Sequence, residues 1–357
     1  MSTTASNRNL GIDTLRGLAC ILLVAFHVIG EAPTHGLRLD YDHPFALFSA
    51  LFFHLRMPLF AMLSGFVYGW RPIRRGEAGS FLTGKLRRLV VPYLFAATAF
   101  AVVNTVLSGA YAVPPAEFWR VYTEPYAHFW FLQTILTIFL AIALLDWLWP
   151  RNPLAVAVGY LVVTSVLFLT PFGDGVTLFS FFHTPYLAPF FGLGLVLNRL
   201  EMTPGTEGVR RMLGQVLVGV TVAVLAVHAW IVLSDPGHEL VRRGVIGLSL
   251  GLCFSGALIA YRRGIAPLAW LGKYSFSIYL YHMFGALGLQ MVYNFTGAPD
   301  PSLALALGML AGLGAPVVFQ IVTLRIGGLA PMIALGLKPR TTAASSAAAM
   351  PRPASAV

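Results

Sequence analysis

Apolar residues in this chain gather into stretches of close to twenty, separated by short polar segments, between residues 11 and 325. A bilayer hydrocarbon core of ~30 Å takes roughly 20 helical residues to cross. The pattern therefore predicts ten transmembrane helices, over residues 11–30, 45–70, 89–108, 129–149, 154–170, 178–198, 212–233, 244–260, 268–294 and 303–325. The sixth is short and interrupted by Pro185 and Pro189. The first carries Arg16 and no small-residue cleavage site, so it reads as a retained helix rather than a secretory signal. The expected fold class is all-α, a polytopic integral membrane helix bundle spanning residues 1–335. Residues 336–357 are rich in Ala, Ser and Pro, too poor in apolar bulk to build a core, and are expected to form a disordered cytoplasmic tail.

Composition agrees: of 357 residues, 57% are hydrophobic and only 11% charged, against about a quarter charged in soluble domains. With the N-terminus inside, sixteen Lys and Arg fall in cytoplasmic segments and four (Arg38, Arg120, Arg242, Arg243) in outer loops. That positive-inside bias puts both termini in the cytoplasm. The net charge of +10 thus follows from membrane topology and anionic lipid, and no nucleic-acid partner is expected. Cys20 and Cys253 lie in separate apolar runs, which is no basis for a disulfide framework.

Ionisable residues inside a span are costly and normally face a bundle interior or a wet cavity. Arg16 and His27 share the first span. Eleven helical steps make three turns plus about 20°, so both look the same way, roughly 16 Å apart. A neutral histidine can take a proton from an attacking hydroxyl. Equally, His27 can bond a carbonyl while Arg16 reaches the lipid interface. Asp13, one turn before Arg16, is placed to pair with it. In the second span His54 and Arg56 are candidate substrate contacts, with a structural ion pair the other reading of Arg56. Ser64 and Gly65 permit close approach of a helix or of a thin ligand.

Lys85 and Arg88, spaced i, i+3, share a face that can meet phosphates, with Arg87 beside them; charge that merely sets topology explains them as well. Ser275, Tyr279 and His282 form one helical stripe, either a helix contact or a substrate surface. Trp130, in HFWFL, belongs to an aromatic interface belt or to the substrate's outer mouth. The nine histidines lack metal-ligand spacing, and no Walker or dinucleotide-binding glycine pattern is present.

Four of these segments, in order, carry a resemblance: Arg16 with His27 (R-x10-H), PLFAMLSGF at 58–66, KLRRLVVPY at 85–93, and LGKYSFSIYLYH ending at His282. The chain resembles membrane acyltransferase family 3, the O-acyltransferases of bacterial surface glycans, over nearly all residues to about 335. Its first two segments look most like the fucose 4-O-acetylase branch. The family usually has a second phenylalanine in the second motif, where this chain has Ala61 and Met62.

The resemblance implies a multi-pass protein of the bacterial inner membrane. The donor would be acetyl-CoA, bound from the cytosol through Lys85, Arg87 and Arg88, with the pantetheine passing Ser64 and Gly65. The acceptor would be a hydroxyl on an extracytoplasmic or lipid-linked glycan. His27 would be general base or acyl carrier, and Arg16 would order the donor or stabilise the site. Arg56, His54, Trp130, Tyr279 and His282 would contact substrate, and no metal is expected. The rival class is a secondary transporter or glycolipid flippase, which buried charges also suit, although the halves lack the symmetry of inverted repeats.

Overall fold

A computed structural model describes residues 9–297 and 300–338, so the tail beyond 338 lies outside the described residues. The chain is 74% helical, with no strand among the described residues. Every span predicted from the apolar pattern appears as helix. In order these are α1 (Leu10–Ile29), α2 (Pro44–Leu51) with α3 (Arg56–Gly69), α4 (Ala78–Lys85) with α5 (Val91–Val106), then, after the outer turn α6 (Arg120–Thr123), α7 (Trp130–Leu148) and α8 (Pro153–Phe168). They continue with α9 (Thr184–Met202), α10 (Glu207–Ser234), α11 (Val245–Ala260), the short α12 (Ala266–Gly272), α13 (Ser275–Thr296), α14 (Pro301–Ile326) and the terminal α15 (Ala330–Leu335). Seven of these segments are both long and apolar enough to cross a membrane. At 16 residues each, α8 and α11 reach about 24 Å, short of a full hydrocarbon core.

Three departures from the expected spans bear on the site. The second span is not one helix: residues 52–55 form turns between α2 and α3. Pro58 explains this, because its ring and missing N–H are incompatible with a helical carbonyl at residue 54. The break places Arg56 at the start of a new, buried helix. The third span begins at residue 78 rather than 89, and α4 joins α5 through a π-helical turn, Leu86–Val90, that carries Arg87 and Arg88. In the sixth, a 3-10 turn (Leu178–His183) precedes α9, and Pro185 sits in the first helical turn, where its missing donor costs nothing.

Close packing at the centre depends on glycines facing backbone. Gly17 lies on the Leu268 backbone while Gly272 lies on that of Asp13, locking α1 against α12. Gly65 lies on the Phe191 backbone and Gly194 on that of Met62, locking α3 against α9 in the same reciprocal way. Such contacts replace the hydrophobic drive that helices lack in lipid. Around them, Phe66, Phe100, Phe129, Phe190 and Phe191 are fully buried.

Candidate functional site

Helix α1 is continuous, and it runs parallel to α13 in a fixed register. The Cys20 thiol donates to the Ser275 carbonyl at 3.8 Å. Seven residues further along both helices His27 meets His282, with ring centroids 5.0 Å apart. Between Arg16 and His27 the shared stripe is interior: Cys20 is fully buried and Leu23 is 3% exposed.

The third imidazole comes from the turn before α7, where His128 stands 4.8 Å from His282, ring to ring. Tyr279 donates to the His128 carbonyl, and His128 Nε2 donates to the Leu280 carbonyl at 3.2 Å. Carbonyls only accept, so the His128 proton is on Nε2, and Nδ1 is buried with no partner. Burial, and then the neighbouring His282, push the His128 imidazole well below the ordinary histidine value, so its neutral form prevails. His282 is fixed by the same logic. Its Nδ1 donates to the carbonyls of Ile278 at 2.9 Å and Tyr279 at 3.0 Å, and its Nε2 is buried and unpartnered. Two imidazoles thus present bare acceptor nitrogens beside His27, which itself has no hydrogen bond among the described residues.

Arg56 closes the outer side of this cluster. Its guanidinium lies over the Phe26 ring, 3.1 Å from the centroid, and 5.0 Å from that of Phe53. It is 6% exposed, with no ion pair or hydrogen bond among the described residues. Opening α3, it adds a cation where the helix dipole is already positive. Tyr186 is an electrostatic neighbour of Arg56. On the same side Trp130 stacks on His183 at 4.1 Å and stands 6.5 Å from Tyr186. His54 packs the other way, 5.2 Å from His228, whose Nε2 meets the Ala50 carbonyl.

Above Phe26 and Phe53 lies an outward-facing pocket of 590 Å³. Its rim holds Tyr41, Glu31, Glu239 and Arg242, the mixture of aromatic faces and carboxylates that suits a polyhydroxylated ligand.

At the opposite end of α1, Arg16 is one-third exposed and pairs with buried Asp13 at 3.0 Å. Lys85 sits against the Phe139 ring, its ammonium 2.9 Å from the centroid, with no carboxylate partner among the described residues. Arg87 is half-buried with an unpartnered Nε, while Arg88 is exposed. Gly336, just past α15, packs on the backbone of both arginines. The Ser64 hydroxyl donates to its own helix at Phe60, 2.8 Å away, and Gly65 is filled by α9.

Sequence reasoning missed several participants. Within HFWFL the sequence singles out Trp130 and not His128, because a turn has no period that would aim the histidine inward. Gln133, 1% exposed, ties the outer loop together through Tyr93, Tyr122, Glu124 and Ser180. Arg199 was counted among charges that set topology. It is instead buried, with its guanidinium on both oxygens of Asp146 at 2.6 Å. A lone Asp in LLDWLW was the available signal. Among the described residues no group of three or more His, Cys, Asp or Glu is placed to hold a metal ion.

A family model described as an acyltransferase domain matches residues 9–321. No curated protein and no solved structure matches the chain.

Proposed function

The chain belongs to membrane acyltransferase family 3, and on that premise we propose that it moves an acyl group, acetyl first of all, from cytosolic acyl-CoA to a hydroxyl of an extracytoplasmic or lipid-linked glycan in a bacterial inner membrane. What supports the reading is that the bare Nε2 of His282 lies beside His27 and the unpaired cation of Arg56 lies over Phe26, a ring that also lines the open pocket.

The acceptor hydroxyl enters from that pocket and gives its proton to His27 as its oxygen attacks the thioester carbonyl carbon. Negative charge grows on the carbonyl oxygen, where Arg56 meets it in a site that excludes water. The carbon–sulfur bond then breaks, and the departing thiolate takes the proton back from His27. Ester and free CoA thiol are the products. His282 is a positioning residue: its Nε2, unpartnered at rest, takes the His27 N–H when substrate binds, which turns the other His27 nitrogen toward the acceptor.

On the cytosolic side, Lys85, Arg87 and Arg88 hold the CoA phosphates. The orphaned Nε of Arg87 and the carboxylate-free ammonium of Lys85 fit anionic oxygens. Arg16 orders the donor where it enters the helix bundle, and Ser64 lines its path, while Gly65 sets how closely α9 approaches. Trp130 flanks the acceptor side, while His54, packed on His228, supports α3 from behind. Tyr279 acts through His128, whose carbonyl it binds.

Purified protein incubated with radiolabelled acetyl-CoA and candidate envelope glycans tests the proposal. Label passing to a glycan hydroxyl is expected. Glycolipid movement across proteoliposomes with no acyl transfer to any acceptor would overturn it in favour of a flippase.

A further inference from the structure

A second cavity, of 770 Å³, opens at the far side of α7, between its end and the start of α8. Its walls include Leu145, Leu148, Val156 and Val163. Gly159 widens it, since nothing lies within 4 Å of where its side chain would stand. Leu148 and Val163 are 43% and 58% exposed; on a membrane-spanning helix such surface faces acyl chains. The mouth is of a different character. Arg75, from the loop after α3, and Arg151, from the turn before α8, both line it. Both are exposed, and neither has an ion-pair partner among the described residues. Trp149, exposed beside them, is the side chain expected at headgroup level.

We propose that this groove binds an anionic phospholipid of the cytosolic leaflet, its phosphate between Arg75 and Arg151 and one acyl chain along the α7–α8 wall. Basic pockets between membrane helices on the cytoplasmic side suit such headgroups, and the leaflet supplies them at high concentration. The acyl-CoA donor is a poor match for the same groove. Lys85 packs on Phe139, on the face of α7 that includes Asp146, roughly 110° around the helix from Leu145 and about 170° from Leu148. No further guanidinium is free at the base of the groove, because Arg199 is consumed by Asp146 and the Pro153 carbonyl. Since α8 packs chiefly on α9, a lipid seated here would also brace α8 against α7.

Native mass spectrometry of the full-length protein with phosphatidylglycerol and phosphatidylcholine of identical chains tests this. The wild type should retain phosphatidylglycerol on the order of thirtyfold better, from about 1 kcal/mol for each of the two arginines. Arg75→Gln with Arg151→Gln should bring the two lipids to parity. Gly159→Phe, with both arginines intact, should lower retention of the anionic lipid by blocking the chain. Equal retention by the wild type, or a preference that survives the double variant, would overturn the proposal. So would displacement by glycerol phosphate alone, which would make the ligand a soluble phosphate.

Discussion

Two of the places where this bundle buries charge do so in opposite ways. At the end of the bundle that holds the start of α8, Asp146 and Arg199 face each other with both carboxylate oxygens engaged. Tyr68 donates a further hydrogen bond to Asp146 at 2.9 Å, and the Pro153 carbonyl receives the rest of the guanidinium. At the outer end Arg56 has aromatic rings and no anion, and His128 and His282 each hold a buried nitrogen with nothing to bond. A closed network offers a ligand nothing; its energy goes into holding α7, α8 and α9. An open one costs stability in the resting protein and recovers it when a ligand arrives. Buried charge alone therefore does not identify a site; what sets the Arg56 cluster apart is an unpaired cation near two imidazoles with unfilled nitrogens.

The contrast breaks most readily at its two arginines. Arg56→Gln should lower kcat by about 10²–10³-fold, with a melting temperature no lower than wild type because no ion pair is lost. Arg56→Lys should not rescue it, since a point charge lacks the planar fork. Steady-state transfer assays beside thermal melts would read both. Asp146→Asn should do the reverse, destabilising by about 3–5 kcal/mol through an orphaned Arg199 while the folded fraction keeps its turnover. Replacing the pair together, Asp146→Leu with Arg199→Met, should recover most of that stability in denaturant titrations.

Smaller effects sharpen the picture. His282→Phe fills the same volume without a lone pair, and should cost roughly 10- to 100-fold in kcat with both KM values unchanged. His282→Gln, which can again accept a hydrogen bond, should restore part of it. Lys85→Ala with Arg88→Ala should weaken acyl-CoA binding by roughly tenfold, measured calorimetrically, and leave acceptor KM alone. Unchanged affinity would return those residues to the role of topological charge.

Much of the fold was legible because it depends on local properties. Span length and apolarity located the helical stretches, seven of them long and apolar enough to cross a membrane, and a helical period sufficed to place Arg16 and His27 along one stripe. What depends on pairing between distant segments was not legible. Asp146 and Arg199 are 53 residues apart, and nothing in either neighbourhood names the other. The α2–α3 break had a visible cause in Pro58, but strong apolarity on both sides masked it. His128 was hidden because its direction is imposed by Tyr279 and Leu280, more than 150 residues away. Of the cluster itself, His27, Arg56 and His282 lie on regular helices and stood out in the sequence, whereas His128, delivered by a turn, did not.

The central claim is that an imidazole on α1 removes the acceptor's proton in a cluster left open for it. The most direct measurement is acyl transfer by His27→Ala in proteoliposomes, beside a melting curve showing the variant folded. The account predicts a loss of at least about 10²-fold in turnover with acyl-CoA affinity retained. Wild-type turnover in that variant would remove His27 from the chemistry and contradict the account.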